Sequence, residues 1–213
     1  TIGINSQNTI GTLTNTENAY DAYALFTFQK ETCLINNCGQ VINQWTSLYN
    51  SGKSVYVLEN GNLLRASSGP NPGNIAIPGI GGRIELFDWD GIVLWDYVYS
   101  NTNASQHHDI YPMPNGNVLV LAASILTDTE AIQMGRKPEN LEDNQLYNEH
   151  ILEIKQTGTD TADVIWRWDF KDHLIQDYDA TKSNFGIVQD NHQLMDINFL
   201  GASNGSANWM HIN

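Results

Sequence analysis

Basic side chains are scarce in this sequence: 10 Lys and Arg stand against 24 Asp and Glu, a formal net charge of −14 over 213 residues. A field of that sign repels phosphate backbones and argues against nucleic-acid binding; it also offers no general attraction to anionic membranes. An anionic substrate could bind only where His and Arg are locally concentrated. Long apolar runs are missing as well. The longest, Val118 to Leu126, is too short for a membrane span and fits a buried strand. No signal peptide is there to prove export, and the chain opens on Thr1-Ile-Gly rather than Met, as expected of a processed or trimmed N-terminus.

Cysteine is nearly absent. Cys33 and Cys38 flank Leu-Ile-Asn-Asn on an expected hairpin. A lone C-x4-C supplies only two of the roughly four ligands that zinc wants, and the C-x-x-C redox spacing does not occur. The expectation is a small structural disulfide made in an oxidising compartment, with two unrelated buried thiols as the alternative. Abundant Asn, Thr, Ser and Gly with little Lys agrees with an exported β-protein.

What is present is a repeat. Cys38-Gly-Gln-Val-Ile-Asn-Gln-Trp45 is followed by Glu59-Asn-Gly-Asn-Leu-Leu64, and Asp88-Trp-Asp-Gly-Ile-Val-Leu-Trp95 by Pro114-Asn-Gly-Asn-Val-Leu119. A third opening, Ile151-Leu-Glu-Ile154, leads to Trp166 and Trp168. Trp45 and Trp95 are 50 residues apart, Asn60 and Asn115 55 apart. A period of that size, made of short strands and tight turns, predicts an all-β chain of stacked four-stranded blades, a β-propeller. Closed rings take about four to eight blades, so the chain reads as the N-terminal part of a larger ring.

Residues 1–31 read as a lead-in strand segment, and 32–213 as the first blades, incomplete at the C-terminus. Blade one is expected over Thr32 to Ala66 and blade two over Arg83 to Ser124, with the Gly- and Pro-rich stretch Ser67 to Gly82 as the loop between them. Gly79-Ile-Gly81-Gly82 in that loop has the wrong spacing for a nucleotide fingerprint and precedes a strand, so it is assigned to sharp turning. Thr127 and Glu130 form a capping box, and Gly135 to Pro138 give stop signals, predicting a short helix. A third blade begins at His150, and a final strand is expected at Trp209 to Asn213. Asp88 and Asp90 beside Gly91 are read as hairpin residues, the recurring tryptophans as packing between blades. Asn103 and Asn204 match the N-glycosylation pattern.

The histidines fall at suggestive places. Gln106-His107-His108-Asp109 lies on a strand running into the Pro114 turn, the position of an innermost blade strand. Side chains alternate along a strand, so His107 and His108 can face one channel only if a bulge intervenes. His211 and Asn213, two residues apart, project to the same side. Imidazoles from successive blades would converge on the axis and hold a tetrahedral oxyanion; with a pKa near 6.5, histidine also serves as nucleophile or acid. Metal binding ranks lower, because adjacent strand histidines diverge. His173 and His192 are read as surface residues near a blade end.

In their joint order these residues resemble the bacterial aryl-sulfate sulfotransferase family. The resemblance runs from Ala22-Tyr-Ala-Leu-Phe26 through Cys33 to Gly39, Tyr56 to Arg65, Asp88 to Gly91, His107-His-Asp-Ile110, Trp166-Arg-Trp-Asp169 and Asp172-His-Leu174 to Trp209-Met-His-Ile-Asn213. It implies a six-bladed propeller, this chain covering about its first half. It implies transfer of a sulfuryl group from a phenolic sulfate ester to a phenol through a sulfohistidine, without a nucleotide sulfate donor or other cofactor. With the composition it gives the expectation of an exported protein, periplasmic, cell-surface or secreted, with a homo-oligomer left open. By motif His108 or its neighbour His107, together with His211 and Asn213, correspond to sulfate-holding residues. The family's nucleophilic histidine and sulfate-binding arginine fall in later strands, so these 213 residues alone are expected to be inactive. Asn208 departs from the family's usual Asp before Trp. The alternative is a non-catalytic extracellular propeller used for binding or structure; a quinone-dependent dehydrogenase shares only the Asp88 to Trp95 motif.

Overall fold

A computed structural model describes residues 11–201 and 205–213. Residues 1–10 of the expected lead-in, and Asn204 of the second glycosylation pattern, lie outside them. The chain is all-β apart from one short helix and brief 3-10 turns. Three sheets follow one another along it. The first joins β1 (Ala24–Phe28), β2 (Glu31–Ile35) and β3 (Val41–Thr46); the second β4 (Ser51–Val57), β5 (Leu63–Ser68), β6 (Gly82–Phe87) and β7 (Val93–Val98). The third joins β8 (Ala104–Pro112), β9 (Val118–Thr127), β10 (Gln145–Gln156) and β11 (Ala162–Asp169). All three are antiparallel, with sequence neighbours paired. A small parallel pair, β12 (Leu174–Ile175) with β13 (Met195–Asp196), completes the set.

The hairpins form where the Asn-Gly turns predict. In the β4–β5 turn Gly61, at φ 85°, donates to the Leu58 carbonyl while Asn60 Oδ1 accepts from the Asn62 amide. Gly116, also at φ 85°, and Asn115 repeat both bonds in the β8–β9 turn. Glycine accepts this left-handed conformation without steric cost, so each turn sets the register of its strands. Asp88 serves its turn as expected, accepting from Ile92 N at 2.7 Å.

The phase of the repeat differs from the expected one. The boundary between sheets falls between β3 and β4, and the 67–82 loop lies inside the second sheet, joining β5 to β6. Identical turns mark a period but not which strands share a sheet; that is decided by which apolar faces bury together. Leu64, Ala66, Ile84 and Trp95 of the second sheet pack against Ile110, Val120, Leu152 and Ile154 of the third. Trp45, Leu63 and Phe87 form the core between first and second. At roughly 25 cal/mol per Å2 of apolar area, such faces supply most of the stacking energy. The tryptophans repeat one contact: Trp45 Nε1 donates to the Asp88 carbonyl at 2.8 Å, and Trp95 Nε1 to the Thr161 carbonyl at 3.2 Å, each reaching an outer hairpin of the next sheet.

Two further expectations are corrected. Cys33 and Cys38 are free thiols. Cys33 is buried on β2 opposite Gln44, whereas Cys38 is exposed in the turn, so the hairpin register does not set them face to face. Residues 209–213 form no strand, because no neighbouring strand among the described residues offers a ladder. Tyr147 N donates to Ala207 O, and Trp209 Nε1 donates to Tyr147 O at 3.1 Å, so this segment is tied to β10 by isolated bonds. The predicted helix is present as α1 (Asp128–Gln133), with both bonds of the Thr127–Glu130 capping box. No helix among the described residues is long and apolar enough to cross a membrane.

Candidate active site

The β8–β9 ladder is regular at Ala104 to Gln106 and again from Ile110, but the register shifts between Gln106 and Ile110. His107, His108 and Asp109 occupy this bulge, with His108 at φ 49°. A bulge breaks the alternation of a strand and re-aims its side chains. The adjacent rings thereby meet edge to face, centroids 5.3 Å apart, with their Nδ1 atoms at 3.0 Å. The condition set by the sequence for both rings to share one site is met.

The two histidines have different surroundings. His107 is fully buried, and its Nε2 lies 2.6 Å from Oε2 of Glu149, a fully buried carboxylate on β10. With Nδ1 against His108 and Nε2 against Glu149, neither nitrogen is left for a substrate, which corrects the expectation that His107 touches one. His108 is half-buried. Its amide donates to the Gly79 carbonyl at 2.9 Å, and its ring occupies the space beside Gly79 where a side chain would stand: a Cβ there would lie 2.5 Å from Nε2. Gln106 Oε1 accepts from Gly82 N at 2.8 Å, and Ile80 bridges to His107. The glycine loop assigned to turning is therefore a wall of the site.

His211 closes the group. Its exposed ring stands edge to face on His108 at 4.8 Å and 6.2 Å from His107. The Asn208 amide lies against its Nδ1, with Nδ2 at 3.1 Å and Oδ1 at 3.3 Å, so Asn208 orients this ring. Asn213 lines a cleft of about 430 Å3 with His108, Asp109, Ser54, Tyr56 and Lys53. Asp109 Oδ1 accepts from Ser54 Oγ at 2.5 Å and from its neighbour Ile110 N at 2.9 Å. Burial pushes the His108 imidazole below its ordinary pKa, and the charges of His107, His211 and Lys53 add to this against Asp109. His173 stacks on Trp168 at 4.6 Å, and His192 is exposed; neither joins the cluster. Among the described residues, no group of three or more His, Cys, Asp or Glu side chains has metal-holding geometry.

A family model described as Arylsulfotransferase (ASST) matches residues 7–213. The chain belongs to the arylsulfotransferase family. No curated protein matches it. Among solved structures it is similar to a protein of unknown function from Bacteroides caccae, at 14% identity and a TM-score of 0.42, over 70% of this chain and 41% of that one. The chain thus spans less than half of that structure's length.

In this member of the family, sequence reasoning missed Glu149, Gly79 and Lys53. Glu149 sits one residue before the expected start of blade three, and only the pairing of Glu149 with Ala123 on β9 carries it behind His107. No motif signals it. Gly79 is plain in the sequence, but only the packing of its loop against β8 gives it His108 as a partner.

Proposed function

We propose that this arylsulfotransferase moves a sulfuryl group from a phenolic sulfate ester to a phenol through a histidine-bound intermediate, and that its sheets are blades of a six-bladed propeller whose inner strands carry the site. An imidazole nitrogen attacks sulfur, the S–O bond to the aryl group breaks, and the phenolate leaves. The acceptor phenol, giving up its proton, then attacks sulfur; the S–N bond breaks and the imidazole is returned. Splitting one displacement into two is the logic of nucleophilic catalysis.

In this reading His108, His211 and Asn213 hold the sulfuryl oxygens, while His107 and Glu149 position His108. Donors fixed before the reaction stabilise developing charge without reorganising. The 3.0 Å Nδ1–Nδ1 contact requires one ring to donate and the other to accept. When His107 carries hydrogens on both nitrogens, donating to Glu149 and to His108, His108 carries its hydrogen on Nε2, where it can meet an anion. The nucleophile and an arginine are assigned to strands following Asn213, as in the family pattern. The propeller is supported by the repeated tryptophan contacts, and export by composition.

The observation that carries the reading is the 4.8 Å meeting of His108 and His211, brought from separate parts of the chain into an otherwise acidic protein. Full-length protein is expected to release 4-nitrophenolate from 4-nitrophenyl sulfate only when a phenol acceptor is present. Equal release without acceptor would make it a hydrolase, and no release under either condition would favour a non-catalytic binding module.

A further inference from the structure

The β4–β5 and β8–β9 hairpins repeat in backbone detail. Their ladders pair Ser51 with Ser67 and Gln106 with Ala122, then resume at Val55 with Arg65 and at Ile110 with Val120. Both carry a bulge at the same place, and inside each bulge one residue is left-handed: His108 at φ 49° and Lys53 at φ 91°. Non-glycine residues in such conformations are strained and cluster at functional sites. Finding the same strain at the same repeat position twice makes a local accident a poor explanation. The first bulge delivers a histidine to the cleft; the second delivers a cation to the same cleft, where Lys53 stands with His108 and Asn213. Ser54 and Asp109, joined by a 2.5 Å bond, fasten the two bulges together. No carboxylate pairs with the Lys53 ammonium among the described residues, although acidic residues outnumber basic ones overall. Asp109, which also lines the cleft, is engaged by Ser54 and Ile110.

We infer that Lys53 is a substrate-binding residue, its ammonium taking an oxygen of the sulfate group held by His108 and Asn213. The inference rests on the sulfotransferase reading for its substrate. Its physical content is narrower, namely an oxyanion site shared by two repeat-equivalent bulges. The ammonium brings a full positive charge to its hydrogen bond with the anion, which a neutral imidazole does not.

The test uses full-length protein with inorganic sulfate as probe, measured by calorimetric titration, and donor KM with 4-nitrophenyl sulfate. Lys53→Gly is the decisive variant, because glycine relieves the left-handed strain. It is expected to raise the thermal midpoint while weakening sulfate binding and raising donor KM by about tenfold or more. Lys53→Arg should keep sulfate affinity within about threefold, since the charge is retained. If the wild type transfers sulfuryl groups and Lys53→Gly leaves donor KM and sulfate affinity unchanged, this assignment fails while the sulfotransferase reading stands. If Lys53→Gly loses sulfate affinity in a protein without transferase activity, the assignment stands and that reading fails. Absence of sulfate binding by the wild type overturns the assignment.

Discussion

The imidazoles of His108 and His211 stand edge to face with centroids 4.8 Å apart, one ring held by a bulged strand and the other by a segment that joins no sheet. The His108 ring depends on its neighbours for that position. His107 braces it from behind, Gly79 leaves it room, and Asn208 fixes the ring it faces.

Gly79→Ala should injure the site more than the fold. The new Cβ would fall 2.5 Å from His108 Nε2 at φ 76°, so the ring must move. Left-handed backbone costs an alanine about 1–2 kcal/mol. Gly91→Ala is the control: its φ is 86° and a Cβ there meets nothing within 4 Å. Both variants should lose similar stability in urea unfolding, and only Gly79→Ala should lose transfer activity. Equal activities would separate the glycine loop from the chemistry.

Glu149→Ala leaves the buried His107 Nε2 without its acceptor, and a buried polar group left unsatisfied costs about 1–3 kcal/mol. Glu149→Gln keeps an acceptor for the Nε2 hydrogen and should cost less. Urea midpoints for the two variants check the order. A Glu149→Ala protein as stable as wild type would remove Glu149 from the support of His107.

Acid should weaken the fold through His150. Burial, then the nearby Arg167 charge, brings its pKa down from 6.5 to about 4, while Tyr99 Oη bonds its Nε2 at 3.0 Å. The unfolded chain takes up this proton near pH 6.5 and the folded one only near pH 4. The stability contributed is therefore whole above 6.5 and is lost as pH falls towards 4, in total about 3 kcal/mol. The lowered pKa of His108 acts in the same direction. His150→Gln, which cannot titrate, should flatten the unfolding profile in that window; an unchanged slope would place the lost protons elsewhere.

Much of this was legible in sequence, for local reasons. The Asn-Gly turns, the Thr127–Glu130 cap and the hairpin role of Asp88 each depend on a few adjacent residues, and each is found as expected. His108 and His211 stand out together in sequence, and their rings meet, but His211 arrives from a segment outside the sheets rather than from the expected strand. What was not legible depends on contacts between distant segments. The division into sheets is decided by packing of Trp45 and Trp95, not by turn positions. The buried partner of His107 comes from β10, and the left-handed residues at 53 and 108 come from bulges that residue type does not announce, since Lys has no preference for positive φ and the enrichment of His there is too weak to locate one.

A double-substitution cycle tests most directly whether His108 and His211 act on one group. Transfer from 4-nitrophenyl sulfate to a phenol acceptor would be measured in full-length wild type, His108→Ala, His211→Ala and the double variant. Each single change should lower turnover by about 10²-fold or more, and the double variant should fall little further, because residues acting as a unit are not additive. Single variants with wild-type turnover, or losses that simply multiply in the double variant, would contradict a shared site.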